Sequence, residues 1–426
     1  MPFLIIVFMG FYTHLMIGFL SPSKIGLLSL YYFMFLLITI VPPLSYQDFA
    51  YRPGFDSIVW GMAIHAILFF TFYCIGFAQV SSKASRYRFI SQRVDFYQYK
   101  KIYNVLLFVT IAVLIHQLLS IKHIPLFGML KGISGEQLAM DRETSFKLTD
   151  AGSRYLWNMS RQVFCPLLVL VSYFYFIYFQ KTFAGFVKFI AIVMLAAFNN
   201  ALSSSLAPVA LLGVYILFAY FLDKGKVNVL GVFFTIFLML FFPAMSDFLY
   251  SDNISFFESF SITMHKIYMR FSYETFERSL YYFDIFPDVR PFLEGRANRL
   301  IATITNQEWF NLQNFAFLYI VNKDAEHLAN GSANAHFISY MYADFALWGI
   351  AIASIIFGYF VGLLEGFYSN MKKSVLIISC YIISIAVFWK FMGTQPTTIF
   401  ISHGILLMVV LVAWFNKKYL KSSTSS

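Results

Sequence analysis

YMRFSYETFERSLYYFDIFPDVRPFLEGR (268–296) stands inside a polar interruption, Ser251 to Ala335, in a chain that is otherwise apolar. The interruption holds Lys266, Arg270, Arg278, Arg290, Arg296, Arg299 and Lys323 among many aromatic side chains. Before and after it the sequence runs in continuous apolar stretches of membrane-helix length, apart from a shorter polar stretch from Ser120 to Asn158. That contrast decides the fold. The apolar runs are long enough to cross a bilayer as helices, and the polar stretches are the loops between them. Arginine-bearing loops beside a membrane point to an anionic substrate handled at its surface, which a plain scaffold would not need.

Composition agrees. Of 426 residues, 59% are hydrophobic and 12% charged, against about 25% charged in soluble domains. The 53 Phe and 28 Tyr could not face water on this scale. The apolar runs do not alternate, which argues against a β-barrel. Cys74, Cys165 and Cys380 all fall within apolar runs, so neither a disulfide framework nor a metal spacing is present in the sequence. The net charge of +10 does not indicate nucleic acid, because much of it lies in short loops, where it orients a membrane protein.

Hydropathy predicts an all-α polytopic membrane protein with about eleven spans. They fall near 2–20, 26–46, 57–79, 102–120, 160–180, 183–201, 205–222, 227–249, 337–368, 374–392 and 398–415. Met1 to Leu20 lacks a basic leader and reads as the first span. The ninth run is too long for one crossing, so His336 to Leu347 is expected to form a surface or re-entrant helix. The organisation is an N-terminal bundle over 1–250 with an outward loop at 120–158, a large loop at 251–335, a C-terminal bundle at 336–416 and a tail at 417–426. No internal repeat is visible.

The loop at 81–101 carries Lys83, Arg86, Arg88, Arg93, Lys100 and Lys101 against Asp95, so the positive-inside rule puts it in the cytoplasm. Counting onward puts Lys181, Lys224, Lys226, Lys372, Lys373, Lys417, Lys418 and Lys421 on the same side. The N-terminus and both long loops then face outward and the C-terminus faces the cytoplasm.

The chemistry is sought in those loops. Guanidinium groups are planar, permanently charged donors suited to diphosphate. Arg270, Arg290, Arg296 and Arg299 are the first candidates, with Arg142 and Arg154 from the shorter loop second. Arg161, at the start of the next span, serves equally well as a snorkelling residue. Arg270, Glu274 and Arg278 are spaced by four, which an ordinary solvated helix face also explains. Neither loop has a carboxylate cluster, so no metal or other cofactor is expected. His65, His116, Lys188, Asp344, Glu365, Lys390 and His403 lie in or at the edge of spans, where ionisable groups are expensive. Lys188 and Glu365 sit near cytoplasmic ends and read as snorkelling or paired. Asn199, Asn200 and Ser203 to Ser205 form an outward hairpin fit either for sugar or for helix packing.

The layout resembles the Wzy-type O-antigen polymerases, which join oligosaccharide repeat units. About eleven spans with a medium and then a much longer outward loop match that family. So does 268–296, with its arginine, aromatic stretch, Phe-Pro turn and Phe-Leu-x-Gly segment. GSANAHFISYMYADFALWGI (331–350) is similar to the family's return into the membrane, with a Phe345-to-Gly349 step. The hairpin at Ser205 lacks the arginine that many relatives carry there. The resemblance implies a fold like that of multispanning lipid-sugar glycosyltransferases, in a bacterial inner membrane. The donor is then a glycan chain on undecaprenyl diphosphate and the acceptor a lipid-linked repeat unit, with membrane lipids and a chain-length regulator as further partners. The arginines stabilise the departing diphosphate, and His336, Asp344 or Glu308 acts as base. An O-antigen ligase and a flippase or exporter of lipid-linked oligosaccharide are the alternative readings.

Overall fold

The computed structural model describes residues 34–80, 96–121, 124–131, 150–202, 207–224, 255–269, 273–321, 333–370, 374–388 and 398–415, with isolated positions between them. Among these the chain is helical and contains no strand. The main helices are α1 (Phe55–Val80), α2 (Phe96–Ser120), α3 (Gly152–Phe179), α4 (Phe183–Ala201), α5 (Ala207–Lys224) and α6 (Phe256–Met269). They continue with α7 (Thr275–Ile285), α8 (Arg299–Ile304), α9 (Leu312–Val321), α10 (Phe337–Asn370), α11 (Val375–Phe388) and α12 (Ile405–Phe415).

Five of the described helices are long and apolar enough to cross a membrane: α1, α2 from Lys100, α3, α4 and α10 to Ser369. Pro208–Asp223, Val375–Phe388 and Ile405–Trp414 are shorter apolar helices where three more spans were expected. The expected spans at 2–20 and 227–249 lie almost wholly outside the described residues. The chain is thus a helical protein with several helices of membrane-spanning length.

Two compact units form, and neither is one continuous segment. The first joins Met1–Tyr87, Lys266–Met371 and Val387–Ile399; the second joins Arg88–His265, Lys372–Ala386 and Phe400–Ser426.

The first unit is built on the α1–α10 pair. Glycines bring the two backbones together. A Cβ at Gly358 would meet the Phe69 carbonyl, one at Gly362 the Tyr73 carbonyl, and one at Gly76 the Tyr359 carbonyl. Gly358 and Gly362 form a Gly-x-x-x-Gly step, a device that works in lipid because tight packing there replaces the missing hydrophobic drive. His65 of α1 is buried in this seam, with Tyr31 Oη 2.8 Å from Nε2 and Ser354 Oγ of α10 2.9 Å from Nδ1. The Ser354 hydroxyl donates to the Ile350 carbonyl at 2.6 Å. Its oxygen must therefore accept from His65 Nδ1, which leaves Nε2 to accept from Tyr31.

Continued as one straight rod, α10 would be about 50 Å long. It is not continuous. Phe345 (φ −140°, ψ 22°) and Ala346 (φ 56°, ψ −153°) leave the helical region, so a short segment from Phe337 precedes the long one. The break lies within two residues of Leu347, the expected end of the first part. Ala346 occupies a region that belongs to glycine and costs on the order of 1–3 kcal/mol.

The second unit centres on α3. Cys165 to Phe174 are buried all round this helix, as a central helix requires. Asp150 N-caps the turn from Ala151 that leads into α3, its carboxylate accepting the Ser153 N–H at 2.8 Å. The helix widens into a π-helical turn at Ser160–Phe164. Asn199 of α4 donates to Ser160 Oγ at 3.4 Å, and Asn200 donates to the Pro208 carbonyl at 3.4 Å. Both asparagines are buried and join neighbouring segments. Ser203 to Ser205 lie outside the described residues.

Candidate functional site

The site develops where the 285–300 loop meets the first part of α10, within the first unit. Helix α7 ends at Ile285 and the chain turns through Phe286 and Pro287, joined by a cis peptide bond. Asp284, the last polar residue of α7, anchors this corner. Its Oδ1 accepts the Gly54 N–H at 2.8 Å and its Oδ2 accepts from Arg52 Nε at 3.0 Å, with Arg52 Nη2 also paired to it. The Arg52 guanidinium lies over the Tyr281 ring, 4.1 Å from its centre. Neither Arg52 nor Asp284 was singled out in the sequence. Their positions, 232 residues apart, gave no local sign of the pair.

Beyond the corner the loop is tied to α10 by backbone. Leu293 N–H donates to the Ala343 carbonyl and Glu294 N–H to the Asp344 carbonyl, both at 2.9 Å. Glu294 (φ 54°) and Gly295 (φ 94°) both adopt positive φ, which folds the chain back over the Asp344 side chain. The N–H groups of Gly295 and Ala297 then converge on Asp344 Oδ1, at 3.1 and 2.9 Å. A Cβ at Gly295 would lie 2.6 Å from Ile301 Cγ2, so the position is closed to larger residues by space as well as by φ. Asp344 Oδ2 is fully buried and has no hydrogen-bond partner. An acceptor without a donor in such a place is costly in a resting protein. One oxygen of the carboxylate is therefore fixed, and the other is buried without a donor.

The arginines divide. Arg290 and Arg296 are half-buried and Arg299 is exposed. Arg290 stacks over Phe310, 4.1 Å from the ring centre, with Phe315 at 5.2 Å. Arg299, at the start of α8, lies 5.6 Å from the Trp309 ring centre. Arg296 donates from Nε to the Leu293 carbonyl at 3.1 Å, and its own carbonyl accepts the Phe310 N–H at 2.9 Å. Asn298 caps α8 through its side-chain oxygen. Gln395 Nε2 donates to the Ala297 carbonyl at 3.0 Å, which docks the 387–399 segment on the same loop. Three of the expected diphosphate arginines thus belong to one loop and helix start next to Asp344. Arg278 is instead paired with Glu274 at 2.9 Å, the helix-surface pair its spacing allowed. Arg270 and Arg142 lie outside the described residues, and Arg154 is exposed on α3 in the second unit.

The other two base candidates sit differently. Glu308 is exposed on the segment between α8 and α9. His336 is fully buried, with Phe35, His65 and Phe337 rings around it at centroid distances of 6.3, 5.6 and 5.0 Å. Its Nδ1 accepts the Ile338 N–H at 3.2 Å, so the proton rests on Nε2, which is buried without a partner. Burial pushes His336 down to about 3, and the ring stays neutral. The return segment that holds it is fixed by Tyr282, which donates to the Ala333 carbonyl at 2.7 Å, and by Gln313, which donates to Tyr340 Oη at 2.8 Å.

No cluster of His, Cys, Asp or Glu fit to hold a metal ion occurs among the described residues. Comparison of the chain with known protein families, with curated proteins and with solved structures finds no match.

Proposed function

We propose that this chain is a polytopic membrane glycosyltransferase that polymerises undecaprenyl-diphosphate-linked oligosaccharide repeat units at the outer face of a bacterial inner membrane. The observation that carries the reading is the Asp344 carboxylate, one oxygen fixed by backbone N–H groups and the other buried without a partner, in a loop region that bears Arg290, Arg296 and Arg299. A buried base and fixed cations in one loop suit a reaction that removes a proton from one oxygen and expels a diphosphate from a sugar.

In this reading about eleven helices cross the membrane and the 120–158 and 251–335 segments face outward. A hydroxyl of the acceptor repeat unit attacks the anomeric carbon of the growing chain. Asp344 Oδ2 takes the hydroxyl proton as the new C–O bond forms. The bond to the diphosphate breaks, and the arginines hold the charge that develops on it. Asp344 suits the base role better than His336, whose ring has its acceptor nitrogen already engaged. A base as exposed as Glu308 would work in water, with little help from its surroundings.

A deletion strain tests the reading through its lipopolysaccharide ladder. Loss of the polymerase leaves one repeat unit on the core, whereas loss of a ligase or flippase leaves none. In complementation, Arg290→Ala, Arg296→Ala and Arg299→Ala should shorten the ladder at normal protein abundance. Arginine-to-lysine variants should restore it only in part, because lysine lacks the two-pronged donor. A full ladder in the deletion strain overturns the reading.

A further inference from the structure

The second unit contains a cleft that the reaction above does not use. It has a volume of about 260 Å³ and opens between α2, α3 and α4, with Lys100, Tyr103 and Asn104 from the first, Tyr175 from the second and Lys188 from the third in its wall. That volume falls below the roughly 300–1,000 Å³ of pockets that enclose drug-sized molecules. It suits a small headgroup and not a glycan.

Its charge is of one sign. Lys100 and Lys188 are the charged residues of the described wall, and no carboxylate stands among them. Lys188 is also the single charged residue of α4, whose sequence is FAGFVKFIAIVMLAAFNNA. Helix α4 adds to the positive potential. It starts at Phe183 with Thr182 as N-cap, the hydroxyl accepting the Gly185 N–H at 3.2 Å, and Gly185 itself lines the cleft. The unpaired N–H groups of a helix start carry partial positive charge. Tyr103 and Tyr175 stack with ring centres 6.5 Å apart, and with the Asn104 amide they supply neutral donors. Both lysines are exposed, and with the helix start they give the mouth of the cleft a positive potential that a bound anion would offset.

The surroundings identify the source of that anion. Helices α2 and α4 expose Phe108, Phe186 and Val187 beside these positions, the kind of surface that acyl chains cover. Lys100 and Lys188 both lie near the starts of their helices, at the ends that positive-inside counting assigns to the cytoplasm, where anionic lipids attract basic groups. We propose that this cleft binds the phosphate headgroup of an anionic membrane phospholipid. The proposal is independent of the polymerase reading, since none of its residues belongs to the Asp344 loop.

The test uses the full chain in neutral detergent, with thermal melting followed as phosphatidylglycerol, phosphatidylcholine or inorganic phosphate is added. Phosphatidylglycerol should raise the melting temperature in a saturable way and phosphatidylcholine should not. The Lys100→Gln/Lys188→Gln double variant should weaken the response on the order of tenfold. Lys131→Gln, which removes an exposed charge elsewhere, should leave it unchanged. Equal responses to the two lipids, or a normal response from the double variant, overturns the site. A full response to inorganic phosphate alone moves the ligand to solution and overturns the lipid assignment. If the double variant does not fold, hydrogen exchange in the unaltered chain decides. Phosphatidylglycerol should then slow exchange at the start of α4, and unchanged exchange there counts against the proposal.

Discussion

The two carboxylate oxygens of Asp344 stand in different surroundings. Oδ1 holds the Gly295–Ala297 turn, and Oδ2 is buried without a hydrogen-bond partner. Asp344→Asn keeps an acceptor for the two N–H groups but removes the base, so transfer should fall about 100-fold or more with the fold retained. Asp344→Ala leaves both N–H groups buried and unpaired, which should cost roughly 2–5 kcal/mol as well. Measuring ladder length and detergent melting together separates the two effects, and full activity in Asp344→Asn removes the base from the mechanism. His336 gives a pH prediction. Its folded value near 3 lies below the ordinary 6.5, so the unfolded chain binds the proton more readily. Its contribution to stability is therefore complete above about 6.5 and is lost as pH falls from there towards 3. His336→Gln should flatten this part of the melting-temperature curve, and an unchanged slope would show that the ring does not titrate there. At this scale the sequence was partly legible. Asp344 stood out as a charge in an apolar run, but the N–H groups that hold it come from residues some 50 positions earlier and could not be read from it.

At the scale of elements, the α1–α10 seam depends on the absence of side chains. Gly362→Leu would place a Cβ on the Tyr73 carbonyl oxygen and should cost about 1–3 kcal/mol or more through overpacking. The same change at Gly213, where nothing lies within 4 Å of an added Cβ, should be tolerated. Comparing the abundance and melting of the two variants checks this; equal behaviour would mean that the seam opens easily. Hydropathy located α1, α4 and α10 closely, because a long apolar run has few other ways to satisfy its backbone. It also marked the first part of α10 as surplus to a span. The end it gave that part, Leu347, falls one residue past the break at Phe345–Ala346, although no glycine or proline interrupts the run. The backbone there is set by the Leu293–Ala297 loop fastened to Ala343 and Asp344, a tertiary constraint that leaves no local sign.

For the molecule as a whole, the charge pattern predicts which side each loop occupies. Single cysteines placed at 299 or 308 should react with an impermeant reagent from outside, and cysteines at 224 or 373 only after the membrane is opened. Cys165 and Cys380 are buried, and the partly exposed Cys74 is replaced by serine in every variant. Labelling with the opposite sidedness would reverse the orientation and remove the site from the outer face. The first unit also imposes an order on biosynthesis. Helix α1 is made early, yet its glycine-seam partner α10 follows only after the Arg88–His265 portion of the second unit has been translated. At ordinary synthesis rates that delay is on the order of 10–50 s. During it His65 has no Ser354 to bond, and the backbone face around Phe69 and Tyr73 is bare. The nascent chain must therefore be sheltered in the insertion machinery or by other helices through that interval, and ribosome stalling between α1 and α10 should make the protein a substrate for membrane proteolysis.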